Sequence, residues 1–437
     1  MQNISDIFVN NLYKIVQDGL PNDVREQARL CLIDYVACAI GGTKIQETES
    51  KRFFEVVASQ SGDVPVIGFA KKTTLNNAAF IQAMNVHSTE LDDGHRLGMI
   101  HLGASIISAL LPVAEVECLA IDNVLLGIVV GYEAAIRIAM AMQPSHKIRG
   151  YHTSGTCGTI GSAIAIATAM GFSRKEMKTT LAAATSSAAG LLEMQEDESQ
   201  LKPYNLAQAA VGGITAAYTA KTGFMGPNDP LAGKRGLLAV MSDNHNLDPI
   251  IDFKTIPFEI MRIYRKPYAA CRHCHPAIEA ALWIKDTHDI KISNITSIDI
   301  DTYKLAVGGH DHTDIKGLSS AKLSIPFSVA LALMNNSVNL MDFNQETIND
   351  VSILELTQKV KVYVNEKLTS WSPRRRSAIV RITTSDGNIF SHEVDYPKGE
   401  PENPMSQHEV ITKYHELFAF AGIDNKYTSN YLTEILK

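Results

Sequence analysis

The first half of the chain repeats apolar positions with the period of an α-helix. In residues 23–42 they recur at intervals of three and four, with Pro21 just before the segment and Gly41 and Gly42 at its end, which predicts one helix. The same pattern predicts further helices near residues 76–91, 104–119, 122–142, 155–171, 173–190 and 204–222. The region from Asn3 to about Gly223 is therefore predicted to be all-helical.

The pattern changes after Pro257. Alternating or β-branched runs predict strands at 295–307, 359–365 and 377–396, and Asp386-Gly387 in the last run is a plausible hairpin turn. Helical patterns lie between these runs near 275–287, 319–335 and 345–356. This mixture predicts a separate α+β domain. A helical pattern returns at residues 406–417, so the C-terminal segment is expected to rejoin the first domain.

Composition fits a globular enzyme. The chain has 437 residues, 45% of them hydrophobic and 20% charged, which favours two domains with large cores. The net charge of −7 argues against nucleic acid as the main partner. The N-terminus lacks a signal-peptide pattern, the apolar run 159–171 is shorter than a bilayer crossing, and the six cysteines are mostly scattered. We therefore expect a cytoplasmic protein with reduced thiols and no membrane partner.

The densest group of ionisable residues lies between two predicted helices. The segment HSTELDDGHRLGMIH holds three carboxylates, Glu90, Asp92 and Asp93, and three imidazoles, His87, His95 and His101. An ionised carboxylate can accept a proton and a neighbouring histidine titrates near neutrality, so the segment supplies both halves of an acid–base pair. The flanking apolar helices predict that it lines a cleft, and a solvated surface loop is the alternative.

Two further segments could bind an anion. His152 precedes a glycine-rich helix start in GYHTSGTCGTIGSA, where free amides at a helix N-terminus favour negative charge. Lys202 stands at the entrance of another apolar helix in LKPYNLAQAAVGG. The alternatives are an ordinary helix-entry loop for His152 and a solvated charge for Lys202.

The segment YRKPYAACRHCHPAIEAAL is the densest polar stretch of the second half. It carries Arg265, Lys266, Arg272, His273 and His275, and Cys271 to His275 match the haem-attachment pattern CxxCH. Without an export signal that pattern does not predict haem, and no second cysteine pair completes a zinc finger. A metal shared with histidines from elsewhere in the chain stays open.

Two weaker signals follow. The segment 308–333 places three polar residues near an apolar helix, His310, His312 and Lys322. It could form the edge of a lid, and an ordinary loop is the alternative. The three arginines of SPRRRS, residues 372–377, are expected to be surface charge.

Taken together, these segments resemble the MmgE/PrpD family in the order of their motifs and in the residues of each motif. The matching motifs are HSTELDDGH, the His101-Leu-Gly stretch, GYHTSGTCG, LKPYN, KPYAACRHCHPAIEA and AKLSIPFSVALAL. The resemblance implies a mainly α fold, with a large helical domain built from both chain ends (1–265 and 405–437) and a smaller α+β lid domain (266–404). It also implies a homodimer and no metal or organic cofactor.

The resemblance places the family's site residues on positions of this sequence. Its acidic position falls on Glu90 or its neighbours Asp92 and Asp93, and its later basic positions on His101, His152, Lys202 and His275. We expect Glu90, Asp93, His101, His152, Lys202 and His275 to be catalytic, and Asp92, His95, Lys266, Arg272 and Lys322 to bind substrate. Two departures favour a different substrate: the family commonly has aspartate at Glu90 and proline at Leu102.

The resemblance implies a cofactor-independent lyase or isomerase acting on a small di- or tricarboxylic acid, by removal of a proton next to a carboxylate. Dehydration of a 2-methylcitrate-like acid is the first expectation. Decarboxylation of a cis-aconitate-like acid and epimerisation of an iminodisuccinate-like acid are the alternatives on the same fold. Two rival classes are a metal- or haem-binding redox protein centred on Cys271, Cys274 and His275, and a catalytically silent carboxylate-binding protein.

Overall fold

The computed structural model describes residues 3–57, 59–195, 199–256 and 258–423. Contacts between α carbons divide the chain into two compact units, of which the first comprises Met1–Tyr264 with Ser406–Lys437 and the second Arg265–Met405. About 59% of the described residues are helical and 9% lie in strands or bridges, which confirms the predicted mainly α class.

Helices account for most of both units. In chain order they are α1 (Ile4–Asp18), α2 (Asn22–Ile45), α3 (Glu47–Val56), α4 (Leu75–Ser88), α5 (Gly103–Val116), α6 (Ile121–Met142), α7 (Ser145–Ile148), α8 (Thr153–Ala169), α9 (Arg174–Ser187), α10 (Lys202–Lys221), α11 (Leu237–Met241), α12 (Asp248–Ile251), α13 (His275–His288), α14 (Lys304–Val307), α15 (Leu318–Leu323), α16 (Ile325–Asn335), α17 (Gln345–Ile348), α18 (Val351–Gln358), α19 (Glu366–Trp371) and α20 (Gln407–Ala421). Short 3₁₀ helices span Leu192–Gln195, Glu259–Arg262, Ile292–Asn294 and Leu340–Asp342.

The strands are short and form two sheets. They are β1 (Val64–Pro65), β2 (Lys72–Thr73), β3 (Ile295–Thr302), β4 (Val360–Val364), β5 (Ala378–Thr384) and β6 (Ile389–Val394). The antiparallel β1–β2 pair lies in the first unit, which the sequence pattern predicts to be helical throughout. The other four strands form the sheet of the second unit.

Several predicted elements differ from the observed ones. The predicted helix 345–356 is α17 and α18, and the predicted strand 295–307 ends at Thr302, with α14 after it. Two further differences have local reasons. The predicted helix 319–335 is two helices, because Ser324 lies between them and its hydroxyl accepts a hydrogen bond from the Phe327 N–H, as an N-cap does. The predicted helix 76–91 stops at Ser88, and Glu90 two residues later has a left-handed φ of 55°. That conformation cannot continue a right-handed helix, so the acidic residues lie in a turn.

The core of the first unit surrounds α8, in which every residue is buried. This helix packs against α5, α6 and α10. Small residues permit that packing: a Cβ added at Gly131 of α6 would lie 2.7 Å from the Gly161 carbonyl oxygen, and one at Gly161 would lie 2.9 Å from the Gly131 carbonyl oxygen. The two backbones therefore touch where α6 and α8 cross.

Helix α6 is long and apolar enough to cross a membrane, by length and composition alone. Its most apolar 18-residue window has a mean hydropathy of 1.8, and 89% of that window is buried inside the protein. Core helices of globular proteins have the same character, so this one helix is weak support for a membrane span.

The last described helix, α20, packs on α2 of the first unit. The buried Lys413 ammonium of α20 lies 2.6 Å from an Asp34 carboxylate oxygen on α2 and donates to the Leu91 carbonyl oxygen at 2.7 Å. Burial lowers the pKa of Lys413, but the charge of Asp34, its hydrogen bond and the other nearby acidic groups together outweigh that effect, and the net shift is upward. A charged lysine near the C-terminus thus holds the backbone of the acidic turn.

The second unit contains a four-stranded sheet in the order β4-β3-β5-β6. Strands β3 and β4 are parallel, whereas the β3–β5 and β5–β6 pairs are antiparallel. Helix α13 packs on β5, β6 and α16. The predicted hairpin turn is confirmed, since Gly387 has a φ of 84° and the Asp386 carboxylate accepts a hydrogen bond from the Asn388 N–H.

Candidate active site

The acidic turn that follows α4 is buried. Glu90, Asp92 and Asp93 are 7%, 2% and 3% exposed, so the solvated-loop alternative is wrong. A carboxylate in such a place needs partners to offset the loss of water. Each of the three has a different set, and those partners separate their chemical roles.

Asp92 bridges two imidazoles. Its Oδ2 lies 2.7 Å from Nδ1 of His87 and 3.3 Å from Nδ1 of His101, and the two rings are 4.8 Å apart. Burial raises the pKa of Asp92, but the charges and hydrogen bonds of His87 and His101 outweigh that effect and hold it well below its usual range. Asp92 is therefore an ionised partner for His101.

Both carboxylate oxygens of Asp93 contact neighbouring helices, α5 and α6. Its Oδ1 accepts the Gly103 N–H at 2.9 Å, and its Oδ2 accepts the Tyr132 hydroxyl at 2.7 Å. Burial raises its pKa to about 6, against the lowering effect of those two hydrogen bonds. Because both oxygens hold neighbouring elements, we assign Asp93 to fixing the start of α5.

Glu90 pairs with Lys202 of α10. Its Oε1 accepts a hydrogen bond from the Lys202 ammonium, and only 10% of the Glu90 side chain and 16% of the Lys202 side chain are exposed. The pair joins the acidic turn to the first residue of a helix 112 positions away. Lys202 is thus held in place, and it is not the solvated charge of the alternative interpretation.

The contacts of His101 assign its proton. Its Nδ1 faces two acceptors, the Asp93 carbonyl oxygen at 2.9 Å and the Asp92 carboxylate, so the neutral ring carries its hydrogen on Nδ1. Its backbone N–H donates to the Ser154 hydroxyl of α8 at 3.0 Å. The ring is partly exposed, with 16% of the side chain accessible. In this tautomer Nε2 is the basic nitrogen of the neutral ring.

The His152 ring carries its hydrogen on the other nitrogen, Nε2. The Asn205 side-chain amide donates to the Leu191 carbonyl oxygen at 3.1 Å, which fixes its orientation, and lies 3.2 Å from Nδ1 of His152. Nδ1 is then an acceptor and Nε2 carries the hydrogen. Burial, followed by the charges of His87, Lys202 and His101, holds the pKa of His152 well below its usual range. His152 is a neutral hydrogen-bond donor.

His95, predicted to bind substrate, is buried inside its own loop. Its Nδ1 accepts the Gly98 N–H at 3.1 Å, and its Nε2 lies 3.4 Å from a Glu259 carboxylate oxygen. Its backbone pairs with that of Ile100 in both directions. These contacts shape the loop that leads to His101.

In the second unit Arg272 and His275 contact each other. The Arg272 guanidinium donates to the Glu400 carboxylate at 2.9 and 3.0 Å and to Nδ1 of His275 at 2.9 Å. Nε2 of His275 lies 3.2 Å from the Ala270 carbonyl oxygen. Within this unit Arg272 therefore forms an ion pair with Glu400. The two predicted lysines of the unit have other surroundings: Lys266 is buried, and the Lys322 ammonium is 5.8 Å from the centre of the Phe343 ring.

One expectation about surface charge is wrong. Of the SPRRRS arginines Arg374 is exposed, but Arg376 is only 6% exposed because the chain enters β5 two residues later.

All six cysteines lie in the described part of the chain as thiols. The ligand atoms of His87, Asp92 and His101 lie within 4.8 Å of one another, so this group could also hold a metal ion.

Sequence reasoning missed three residues that build this site, and one contact of a fourth. Tyr132 lies in the apolar run of α6, and Ser154 lies among the small residues of α8. Asn205 stands inside the LKPYN motif, three positions after Lys202, where only the helical period could indicate a shared face. His87 was visible in the HSTELDDGH motif, but its contact with Asp92 was not.

Comparison with known proteins finds relatives and family models that cover most of the chain. The MmgE/PrpD N-terminal domain matches residues 10–250, and the MmgE/PrpD C-terminal domain matches residues 268–426. Cis-aconitate decarboxylase of Aspergillus terreus is 24% identical over 431 residues, covering 92% of this chain and 86% of that protein. The human cis-aconitate decarboxylase is 23% identical over 439 residues, covering 95% and 87%. The cis-aconitate decarboxylase-like protein oryM of Aspergillus oryzae is 22% identical over 448 residues, covering 97% and 92%.

Proposed function

The chain belongs to the MmgE/PrpD family, and we propose that it is a lyase that decarboxylates a small unsaturated tricarboxylic acid of the cis-aconitate type. The observation that carries the proposal is the pair of oppositely arranged imidazoles, His101 and His152. His101 offers Nε2 to a proton, whereas His152 offers a hydrogen. One proton carrier beside one neutral donor suits a reaction that delivers a single proton to carbon.

His101 is the proposed proton carrier. The ionised Asp92 carboxylate 3.3 Å from its Nδ1 stabilises the imidazolium form, so the ring can hold a proton on Nε2 until the substrate accepts it. The Asp93 carbonyl oxygen and the Ser154 hydroxyl fix the ring and its backbone. Positioning of this kind keeps the acid in one orientation through the reaction.

Lys202 and His152 are the proposed binders of substrate carboxylates. The Glu90 carboxylate orients the Lys202 ammonium, and a substrate carboxylate would share it. His152 would donate from Nε2, and as the N-cap of α8 it stands beside the positive end of a 17-residue helix. A low-dielectric setting strengthens both contacts, because His152 is buried and the Lys202 side chain nearly so.

The step balances without a co-reactant. A proton passes from Nε2 of His101 to one alkene carbon while the bond to the departing carboxylate breaks. The electron pair of that bond forms the new double bond, and carbon dioxide leaves. His101 then regains a proton from water. Asp92 stays ionised throughout and stabilises the cationic form of the ring.

Names of relatives favour decarboxylation over the dehydration expected first from the sequence, since those quoted above are cis-aconitate decarboxylases or like them. Dehydration needs one group to remove a carbon-bound proton and another to protonate the hydroxide that leaves. Glu90 is the additional base within the described acidic turn, and Lys202 occupies it. Epimerisation would exchange a proton without loss of any group.

A panel of acids tests the proposal. Purified full-length protein is incubated with cis-aconitate, 2-methylcitrate and iminodisuccinate, and products are followed by proton NMR together with carbon dioxide release. The proposal expects carbon dioxide in a one-to-one ratio with consumed cis-aconitate. An alkene formed from 2-methylcitrate without carbon dioxide would replace the decarboxylase with a dehydratase. No turnover of any acid, with thermal stabilisation by one of them, would indicate a binding protein.

A further inference from the structure

A second cluster of ligand-type side chains lies within the second unit, around residues of the CRHCH segment. The ligand atoms of Cys271, His273 and His310 all lie within 4.8 Å of one another, and each side chain is partly exposed. The Cys271 Sγ is 3.9 Å from Nε2 of His310, and the His273 and His310 rings are 5.1 Å apart. One thiol and two imidazoles from segments about 40 residues apart thus converge on one point.

Both imidazoles are held through their Nδ1 atoms. Nδ1 of His310 lies 2.9 Å from the Leu323 carbonyl oxygen, an acceptor, so its hydrogen is on Nδ1 and the lone pair of Nε2 points toward Cys271. Nδ1 of His273 lies 2.5 Å from the Tyr303 hydroxyl. The phenol oxygen can accept a hydrogen from that nitrogen. This arrangement matches the outer contacts that orient metal-binding histidines.

We propose that Cys271, His273 and His310 bind one zinc ion. Zinc accepts thiolate and imidazole ligands at about 2.3 and 2.0–2.1 Å, so the three atoms need to close in by small side-chain rotations. Binding releases one proton from the Cys271 thiol and leaves a zinc–thiolate bond with two neutral imidazole ligands. Three protein ligands leave a fourth position for water. The hard ions Mg²⁺ and Ca²⁺ prefer oxygen ligands and are excluded by this set.

The proposed ligand set differs from the haem-like CxxCH pattern. The Cys274 thiol is buried and donates to the Leu323 carbonyl oxygen at 3.8 Å, and His275 contacts Arg272 and Ala270. The described structure therefore groups Cys271 with His273 and His310, and it places Cys274 and His275 in other contacts. The zinc proposal is also separate from the lyase reaction, so its test does not depend on turnover.

Cobalt substitution tests the site directly. Full-length protein treated with a chelator and then dialysed is titrated with Co²⁺, which gives a thiolate-to-cobalt absorption band in the near ultraviolet. We expect saturation at one ion per chain, displacement by equimolar Zn²⁺ and no displacement by excess Mg²⁺. Cys271→Ser should abolish the band, whereas the matched control Cys274→Ser should keep it. A band that is absent from the parent, or that survives Cys271→Ser, overturns the proposal.

Tyr303→Phe gives a second measurement that spares all three ligands. It removes only the hydroxyl that faces Nδ1 of His273 and keeps the buried ring. Loss of an orienting partner of this kind costs about 10- to 100-fold in metal affinity. Zinc affinity measured by competition with a colorimetric chelator should weaken by that factor in Tyr303→Phe. An unchanged affinity would remove the orienting role and, with it, His273 as a ligand.

Discussion

Oδ2 of Asp92 lies 3.3 Å from Nδ1 of His101, and both residues belong to the segment between α4 and α5. The same oxygen lies 2.7 Å from Nδ1 of His87. One carboxylate therefore supports two imidazoles, of which His101 is the more exposed. This relationship separates the proposed proton carrier, His101, from the residues proposed to set its charge and orientation.

Asp92→Asn removes the negative charge and keeps the shape. We expect kcat to fall by about 10²- to 10⁴-fold, because the imidazolium loses its stabilising partner. We also expect the pKa of the catalytic acid in the kcat profile to fall, since a cation without its carboxylate loses its proton more easily. Asp122→Asn, in an exposed ion pair with Arg25, is the matched control. A kcat within a few-fold of the parent would contradict the role of Asp92.

Lys202→Ala should weaken substrate binding more than turnover. It removes the cation proposed to hold a carboxylate, so we expect KM to rise at least about 10-fold, equivalent to 1.4 kcal/mol of binding free energy. Lys221→Ala on the same helix is the control, because its ion pair with Glu117 is more exposed. Steady-state kinetics on cis-aconitate distinguish the two variants. Equal KM values for Lys202→Ala and the parent would remove Lys202 from the binding site.

His152 gives the folded state a measurable dependence on pH. Its pKa in the folded protein is well below 6.5, its ordinary value, so below that pH the unfolded chain binds a proton that the folded protein does not. Stability linked to His152 is therefore present at neutral pH and is lost as pH falls below 6.5. In His152→Gln the free energy of unfolding should fall less steeply, by at most about 1.4 kcal/mol per pH unit for one proton. Urea unfolding at several pH values measures it, and identical slopes would contradict the assignment.

Two adjacent glycines of α10 test the packing against α8. A Cβ at Gly213 would lie 2.3 Å from the Ser162 Cβ, whereas one at Gly212 would lie 3.3 Å from a methyl carbon of Thr159. We expect Gly213→Ala to destabilise the protein by about 1–3 kcal/mol through overpacking. Gly212→Ala should stay within about 1 kcal/mol of the parent, since the better helix propensity of alanine offsets a small adjustment. Thermal unfolding of both variants measures the difference, and equal losses would contradict the close α8–α10 contact.

The fold was predictable where the period of the apolar residues agreed with the residues that mark turns and helix ends. Apolar residues at helical spacing predicted α2 and α6, and Asp386-Gly387 predicted the β5–β6 hairpin. The break at Ser324 was not predicted, because the apolar pattern continues through it, although Ser324 and Pro326 together have the sequence of a helix start. The period of a pattern reports which face is buried, but a cap residue and a proline can begin a new helix without altering that period.

The chemistry of the candidate site was predictable as a set of residue types, and their division of labour was not. The HSTELDDGH motif predicted acid–base chemistry, yet it gave equal standing to Glu90, Asp92 and Asp93. Their roles depend on Lys202, His101 and Tyr132, and two of those partners come from distant helices. The sequence also gave no sign that Asn205 fixes the hydrogen on His152, since that contact spans 53 positions.

The proton carried by His101 is the central claim, and one measurement tests it most directly. Full-length protein and His101→Ala are incubated with cis-aconitate in deuterated water, and the product is analysed by NMR and mass spectrometry. We predict one deuterium at the protonated carbon for each carbon dioxide released, and a rate at least about 10²-fold lower in His101→Ala. Turnover by His101→Ala within a few-fold of the parent, with the same deuterium content, would contradict the account.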